Sequence, residues 1–257
     1  MPAHRGMAFV ELGVSELDRS LDLYSGQLGF APGATTVDSA GHRVAVLGSG
    51  PAVLRLVEVG PDGRPTGWTP DNRQCGIRHF GMKVADTDAW AARLAGSGVP
   101  FDMPPTDAVG GVRIAFFRDP DGACLEFVHG YVQHHNLWSA ELAREEIDAD
   151  RDWDGTPRFD HVAITVPDLD DALARYATRL GFGAVGQVVR PGDEHGFLIT
   201  NLRAGTATLE IFSFTDPLPG EATAGEPDLL GLRAIGLHGL RAPEVAPGHI
   251  QLNPGSS

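Results

Sequence analysis

His79-Phe80-Gly81-Met82-Lys83-Val84-Ala85-Asp86-Thr87-Asp88-Ala89-Trp90 and His161-Val162-Ala163-Ile164-Thr165-Val166-Pro167-Asp168-Leu169-Asp170-Asp171-Ala172-Leu173 are two copies of one pattern. A third copy, Phe9-Val10-Glu11-Leu12-Gly13-Val14-Ser15-Glu16-Leu17-Asp18, opens the chain. In each, large apolar residues occupy every second position: Val10, Leu12 and Val14; Phe80, Met82 and Val84; Val162, Ile164 and Val166. Period-two alternation predicts a strand with one face against a core. Ser, Thr and Asp residues then precede a helical spacing of apolar residues, as expected of N-terminal caps that accept hydrogen bonds from free amides. Leu28-Gly29-Phe30 and Leu180-Gly181-Phe182 close the first and third helices, with glycine as the C-terminal cap.

Paired apolar runs follow each helix, at 43–47 and 53–59, at 112–117 and 123–128, and at 197–202 and 206–212. Runs joined by short turns read as hairpins. The turn Asp119-Pro120-Asp121-Gly122 is turn chemistry and lacks the spaced acidic ligands of a calcium loop. The repeating unit is therefore a strand, a helix, and two or three antiparallel strands. A fourth copy starts near Leu232–His238 and is cut short, with no room for a full hairpin or a last strand bearing Glu. The Pro/Gly-rich stretch 215–227 links copies three and four. The charged stretch 131–157 divides a domain of residues 1–130 from one of residues 158–257.

The chain has 257 residues, 42% hydrophobic and 21% charged, an ordinary globular composition. Its net charge of −14 disfavours phosphate backbones and anionic membrane surfaces. Two isolated cysteines fit a reducing compartment. The opening residues show neither a basic n-region nor an apolar h-region, and no apolar run approaches a bilayer-spanning length. A cytoplasmic protein with a small-molecule substrate, and no nucleic-acid or membrane partner, is the expectation.

The strand that opens with His, the acidic turn, the helix ending in Leu-Gly-Phe and the last strand with a central Glu resemble the vicinal oxygen chelate (VOC) superfamily. That superfamily holds glyoxalase I, methylmalonyl-CoA epimerase, type I extradiol dioxygenases and fosfomycin- and bleomycin-resistance proteins. The resemblance implies an α+β fold of repeated βαβββ modules, whose paired sheets curl around a cavity, here with the fourth module truncated. It also implies metal ligands at the start of each first strand and in the middle of each last strand. Those positions hold Phe9 and Arg55 in module one, His79 and Glu126 in module two, and His161 and Glu210 in module three. In module four the first position falls near Ala234 or Leu237, beside His238.

Phe and Arg cannot bind a cation, and two ligands are too few for a divalent metal. The complete set joins modules two and three: His79, Glu126, His161 and Glu210. Some four-module members of the superfamily pair one with four and two with three. Imidazole and carboxylate together suit Fe, Mn, Ni, Co or Zn. Glu126 or Glu210 is the expected proton carrier. By alternation Lys83, Cys124, Phe159, Thr165, Thr208 and Phe212 share the ligand face and are expected to line the substrate pocket. His134 and His135 fall in the linker, solvated or folded over the cleft. Glu11 lies on the same face as Arg55 and could neutralise it.

Such a centre implies a metal-dependent enzyme that grips two neighbouring oxygens of a small substrate and runs a redox-neutral isomerase, lyase or epimerase reaction. Extradiol ring cleavage with Fe(II) is the alternative, although in those dioxygenases the metal sits between modules three and four. A small-molecule binding or resistance protein without catalysis is the third reading. The truncated module leaves an open edge that a second copy could cover, giving a homodimer.

Overall fold

The computed structural model describes residues 6–50, 52–65, 73–218, 226–246 and 250–255. The opening residues 1–5, and 219–225 of the 215–227 connection, lie outside them. Module one comprises β1 (Met7–Val14), α1 (Leu17–Leu21, continued as a π-helical turn Asp22–Gln27), β2 (Ala31–Val37), β3 (Arg43–Gly48) and β4 (Val53–Glu58), with β5 (Arg64–Pro65) beyond it. Module two comprises β6 (Gly76–Lys83), α2 (Thr87–Gly96), β7 (Phe101–Asp107), β8 (Arg113–Arg118) and β9 (Cys124–His129). The connecting segment carries β10 (Asn136–Leu137) and α3 (Ala140–Ala149). Module three comprises β11 (Arg158–Thr165), α4 (Leu169–Leu173, continued as a π-helical turn Ala174–Arg179), β12 (Gly183–Val189), β13 (Leu198–Ala204) and β14 (Ala207–Ser213). Module four is β15 (Leu229–His238), β16 (Glu244–Ala246) and β17 (Ile250–Gly255).

Two mixed sheets result. One runs β16-β17-β15-β1-β4-β3-β2 and joins modules one and four. The other runs β10-β12-β13-β14-β11-β6-β9-β8-β7 and joins modules two and three. Each sheet therefore draws strands from both sides of the 131–157 segment. Segment 131–157 is itself part of the second sheet, because β10 pairs with β12.

The helix ends follow the cap chemistry. Gly29 and Gly181 take φ of 81° and 77°, the left-handed region that side chains avoid. Phe30 N and Phe182 N then donate back to the carbonyls of Tyr24 and Tyr176 at 2.9 and 3.0 Å. Asp86 and Asp168 cap α2 and α4 by accepting from Ala89 N and Asp171 N. Module one departs from this expectation. Its first free amide, Leu17 N, donates to Glu58 across the module at 2.9 Å, while Ser15 Oγ donates to Asp121 in module two at 2.6 Å.

Module four corrects the sequence expectation. It lacks the helix, but its short β16–β17 hairpin returns a last strand parallel to β15, as β4 lies parallel to β1. The strand thought missing is present as β17. It carries Asn253 beside Gly236, where module three has Glu210 beside Ala163.

A single apolar core joins the two sheets. Phe80 lies at its centre, fully buried between Phe30 of module one (centroids 6.1 Å apart) and Phe159 of module three (5.1 Å). Phe80→Ala is expected to destabilise the fold by about 3–5 kcal/mol, read by denaturant or thermal unfolding.

Candidate metal centre

Strand register builds the site. In the antiparallel β6–β11 pair, His79 lies opposite Ala163 and His161 opposite Gly81. The flanking strands run parallel, setting Glu126 beside Gly81 and Glu210 beside Ala163. The four residues expected as ligands therefore fall on four adjacent strands, β9-β6-β11-β14. The small residues between them leave the space that the imidazoles fill. The His161 ring lies over Gly81 so closely that an added Cβ would stand 2.0 Å from Cε1.

The donor atoms converge. His79 Nε2 and His161 Nε2 are 3.1 Å apart. Glu126 Oε2 is 3.1 Å from the first and 2.9 Å from the second. Glu210 Oε2 stands wider, at 3.7 and 3.8 Å. Two metal ligands at about 2.1 Å and roughly a right angle lie about 3.0 Å apart, so the three close donors have the spacing of cis ligands. His79, Glu126 and His161 are buried. Burial opposes charge on these groups, but the surrounding carboxylates raise the His161 pKa well above its ordinary value, and the imidazoles hold Glu126 low. Two imidazoles and two carboxylates aimed at one point fit a divalent cation.

Each first strand carries a bulge just before its ligand position. Phe159 and His161 face Met82 and Gly81, so Asp160 is the extra residue. Ala163 and Ile164 face His79 and Ile77, so Arg78 is the extra residue there. A bulge turns its extra residue and re-aims the side chains around it. Asp160 thereby reaches the Nδ1 of His161, at 2.9 Å.

The same bulge corrects one expected pocket residue. Phe159 is turned off the ligand face into the core, stacked on Phe80. Of the other five, Lys83 and Thr208 line the cleft beside Glu126, His161 and Glu210. Thr165, Phe212 and Cys124 gather around Arg78: Thr165 Oγ1 accepts from its Nη1 at 2.8 Å, and its guanidinium lies 4.4 Å from the Phe212 ring centroid, while Phe212 also packs edge-on against the His79 ring. Cys124 is buried nearby, and burial pushes its thiol up to about 12, unsuited to a nucleophile. Sequence reasoning missed Asp160, Glu146 and Asn201, which also line the cleft. Asp160 precedes His161 directly, but strict alternation would point it away. His134 stands half-buried at the cleft, its pKa lowered by burial and opposed by Asn201 and Glu210, whereas His135 is exposed.

The equivalent row in the other sheet reads Phe9, Arg55, Ala234 and Asn253. There Phe9 takes the place of an imidazole over Gly236. Glu11 is held between Arg233 at 2.8 Å and Arg55 at 3.3 Å. One carboxylate between two guanidiniums leaves that face net positive, and among the described residues it carries no cation donor set.

The family model of the Glyoxalase/Bleomycin resistance protein/Dioxygenase superfamily matches residues 6–127 and 158–251, and the chain belongs to that superfamily. Glyoxalase I from Zea mays superposes with a TM-score of 0.66 at 18% identity, over 98% of this chain and 92% of that one. A putative dioxygenase from Bacillus subtilis superposes with a TM-score of 0.64 at 15% identity, over 96% and 83%. At these identities the likeness is one of fold. The anthracycline biosynthesis protein DauV from Streptomyces sp. (strain C5) is 34% identical over 130 residues, 46% of this chain and 44% of that protein. The match thus spans under half the length of that curated relative. Among the described residues no helix is long and apolar enough to cross a membrane.

Gly81→Ala adds one methyl group where the His161 ring sits. It is expected to weaken divalent-metal binding at least ~10-fold while the far-ultraviolet circular dichroism stays unchanged, measured by competition with a chromophoric chelator.

Proposed function

We propose that this protein is a metal-dependent enzyme acting on a small substrate with two neighbouring oxygens, in a redox-neutral isomerase, lyase or epimerase reaction. The observation that carries the reading is the convergence of His79, Glu126, His161 and Glu210 within 3.8 Å of the two imidazole nitrogens. A divalent cation held there would supply bidentate chelation and draw electron density from the two carbons that bear the oxygens. Every other role belongs to the chain. His79 and His161 are fixed by the β6–β11 register and do not need to move. Glu126 is wedged between both imidazoles, so its carboxylate is committed to the centre. Glu210 is further from both nitrogens and more exposed, which makes it the better proton carrier. Val112, Ile114, Val128 and Val132 give the cleft an apolar wall opposite these polar groups. That lining suits a substrate with an apolar or aromatic body and keeps water from the reacting carbon.

A second reading rests on the same distances. The tight cluster is two histidines and one carboxylate, the ligand type of non-haem iron oxygenases, with Glu210 set apart. Ring cleavage of a catechol by Fe(II) would use that subset. Its difficulty is that those enzymes place their metal between modules three and four. Binding without turnover, as in resistance proteins, is the third reading, and the four donors disfavour it.

Untagged protein is expected to carry close to one divalent metal per chain by elemental analysis, and the His79→Ala, Glu126→Ala double variant essentially none. Equal metal in both would overturn the proposal. Reaction class is read by deuterium uptake from heavy water at the carbinol carbon of 2-hydroxyacetophenone. Glu210→Gln is expected to slow that exchange by ~100-fold or more. Oxygen consumption and a yellow product with catechols, in place of exchange, would move the protein to the ring-cleaving branch.

A further inference from the structure

The segment between the two halves of the chain belongs to no module, yet its helix α3 sends one carboxylate into the cleft. Glu146 Oε1 accepts from Lys83 Nζ at 2.6 Å. Lys83 is almost wholly buried, a costly position for an ammonium group unless it is paired. Its other partners are the carbonyl of Gly130 at 2.7 Å, the Tyr131 ring at 4.6 Å from its centroid, and Asp160 at 3.7 Å. Asp160 in turn meets Nδ1 of His161 at 2.9 Å. A continuous line of charge therefore runs from α3 through β6 to the imidazole on β11: Glu146, Lys83, Asp160, His161.

Among the described residues His79 has no such support. Its Nε2 faces the donor cluster, and its ring is packed edge-on against Phe116 and Phe212, at 5.1 and 6.0 Å. Apolar edges hold a ring in place but do not choose which nitrogen carries the proton. A carboxylate on Nδ1 does, because it keeps a proton there and leaves Nε2 free as a donor to a cation. A carboxylate alone could swing; one tethered to a buried ammonium is held.

We infer that Glu146, Lys83 and Asp160 form a positioning relay through which helix α3 fixes the tautomer and place of the His161 imidazole. The connecting segment is thereby a working part of the centre, and removing its carboxylate loosens a ligand on a strand it does not belong to. The inference rests on the proposed metal site for its consequence, though not for its geometry. The bulge at Asp160 is what makes the relay possible, since it turns that side chain to the same side as His161.

The test compares wild type with Glu146→Ala, Lys83→Met, Lys83→Arg and Asp160→Ala. Two readouts are taken: the Nδ1–H proton resonance of His161 in metal-free and Zn(II)-loaded protein, and the Zn(II) dissociation constant. Thermal unfolding shows whether each variant is folded. Wild type is expected to show a downfield, slowly exchanging Nδ1–H. Asp160→Ala is expected to lose it and to raise the dissociation constant ~10–100-fold. Glu146→Ala and Lys83→Met are expected to broaden the same resonance, leave the His79 signals in place and weaken binding several-fold. Lys83→Arg is expected to restore both readouts. If Lys83→Met does not fold, Glu146→Ala decides alone. Unchanged His161 resonance and affinity in Glu146→Ala would overturn the relay and leave the metal site standing. Absent zinc binding in wild type, with the resonance still responding to Glu146→Ala, would overturn the proposed function and leave the relay standing.

Discussion

The antiparallel pairing of β6 with β11 is the constraint on which everything else depends. Its register sets each histidine opposite a residue too small to obstruct it, Gly81 or Ala163. The parallel outer strands then deliver one glutamate on each side. A slip of one residue between the two strands would leave the two histidines on opposite faces and scatter the donors. The register is held by the shared apolar core, in which Phe80 and Phe159 stack directly beneath the site. Stability and function thus meet at one strand junction.

The two sheets share a plan but not a chemistry. Both have a bulge before the ligand position, and both have a glycine under an aromatic or imidazole ring. In the sheet of modules one and four the ring is Phe9, and the charges are Glu11, Arg55 and Arg233, the two arginines sharing the one carboxylate. In the sheet of modules two and three the corresponding charges face inward around a common point. Duplication of the fold has therefore left one centre able to hold a cation and one closed by ion pairs.

Much of this was legible in the residues. Alternation located three of the first strands, Leu-Gly-Phe marked two helix ends, and the resemblance to the VOC superfamily pointed to the four donor positions. Strands β2, β7 and β12 were not legible. β2 and β7 are largely exposed, so no core face imposes a period on Ala31–Val37 or Phe101–Asp107. The last strand of module four was hidden because no helix precedes it. Phe159 and Asp160 were misread for one reason: a bulge breaks strict alternation, and nothing in Arg158-Phe159-Asp160-His161 announces it. The role of Glu146 could not be read, because only the folded chain brings α3 against β6.

The most direct measurement of a shared centre is the cobalt K-edge absorption fine structure of the protein loaded with one equivalent of Co(II). Two imidazoles per cobalt, with the remaining ligands oxygen, are the expected result. One imidazole or none per cobalt would contradict a cation held jointly by modules two and three.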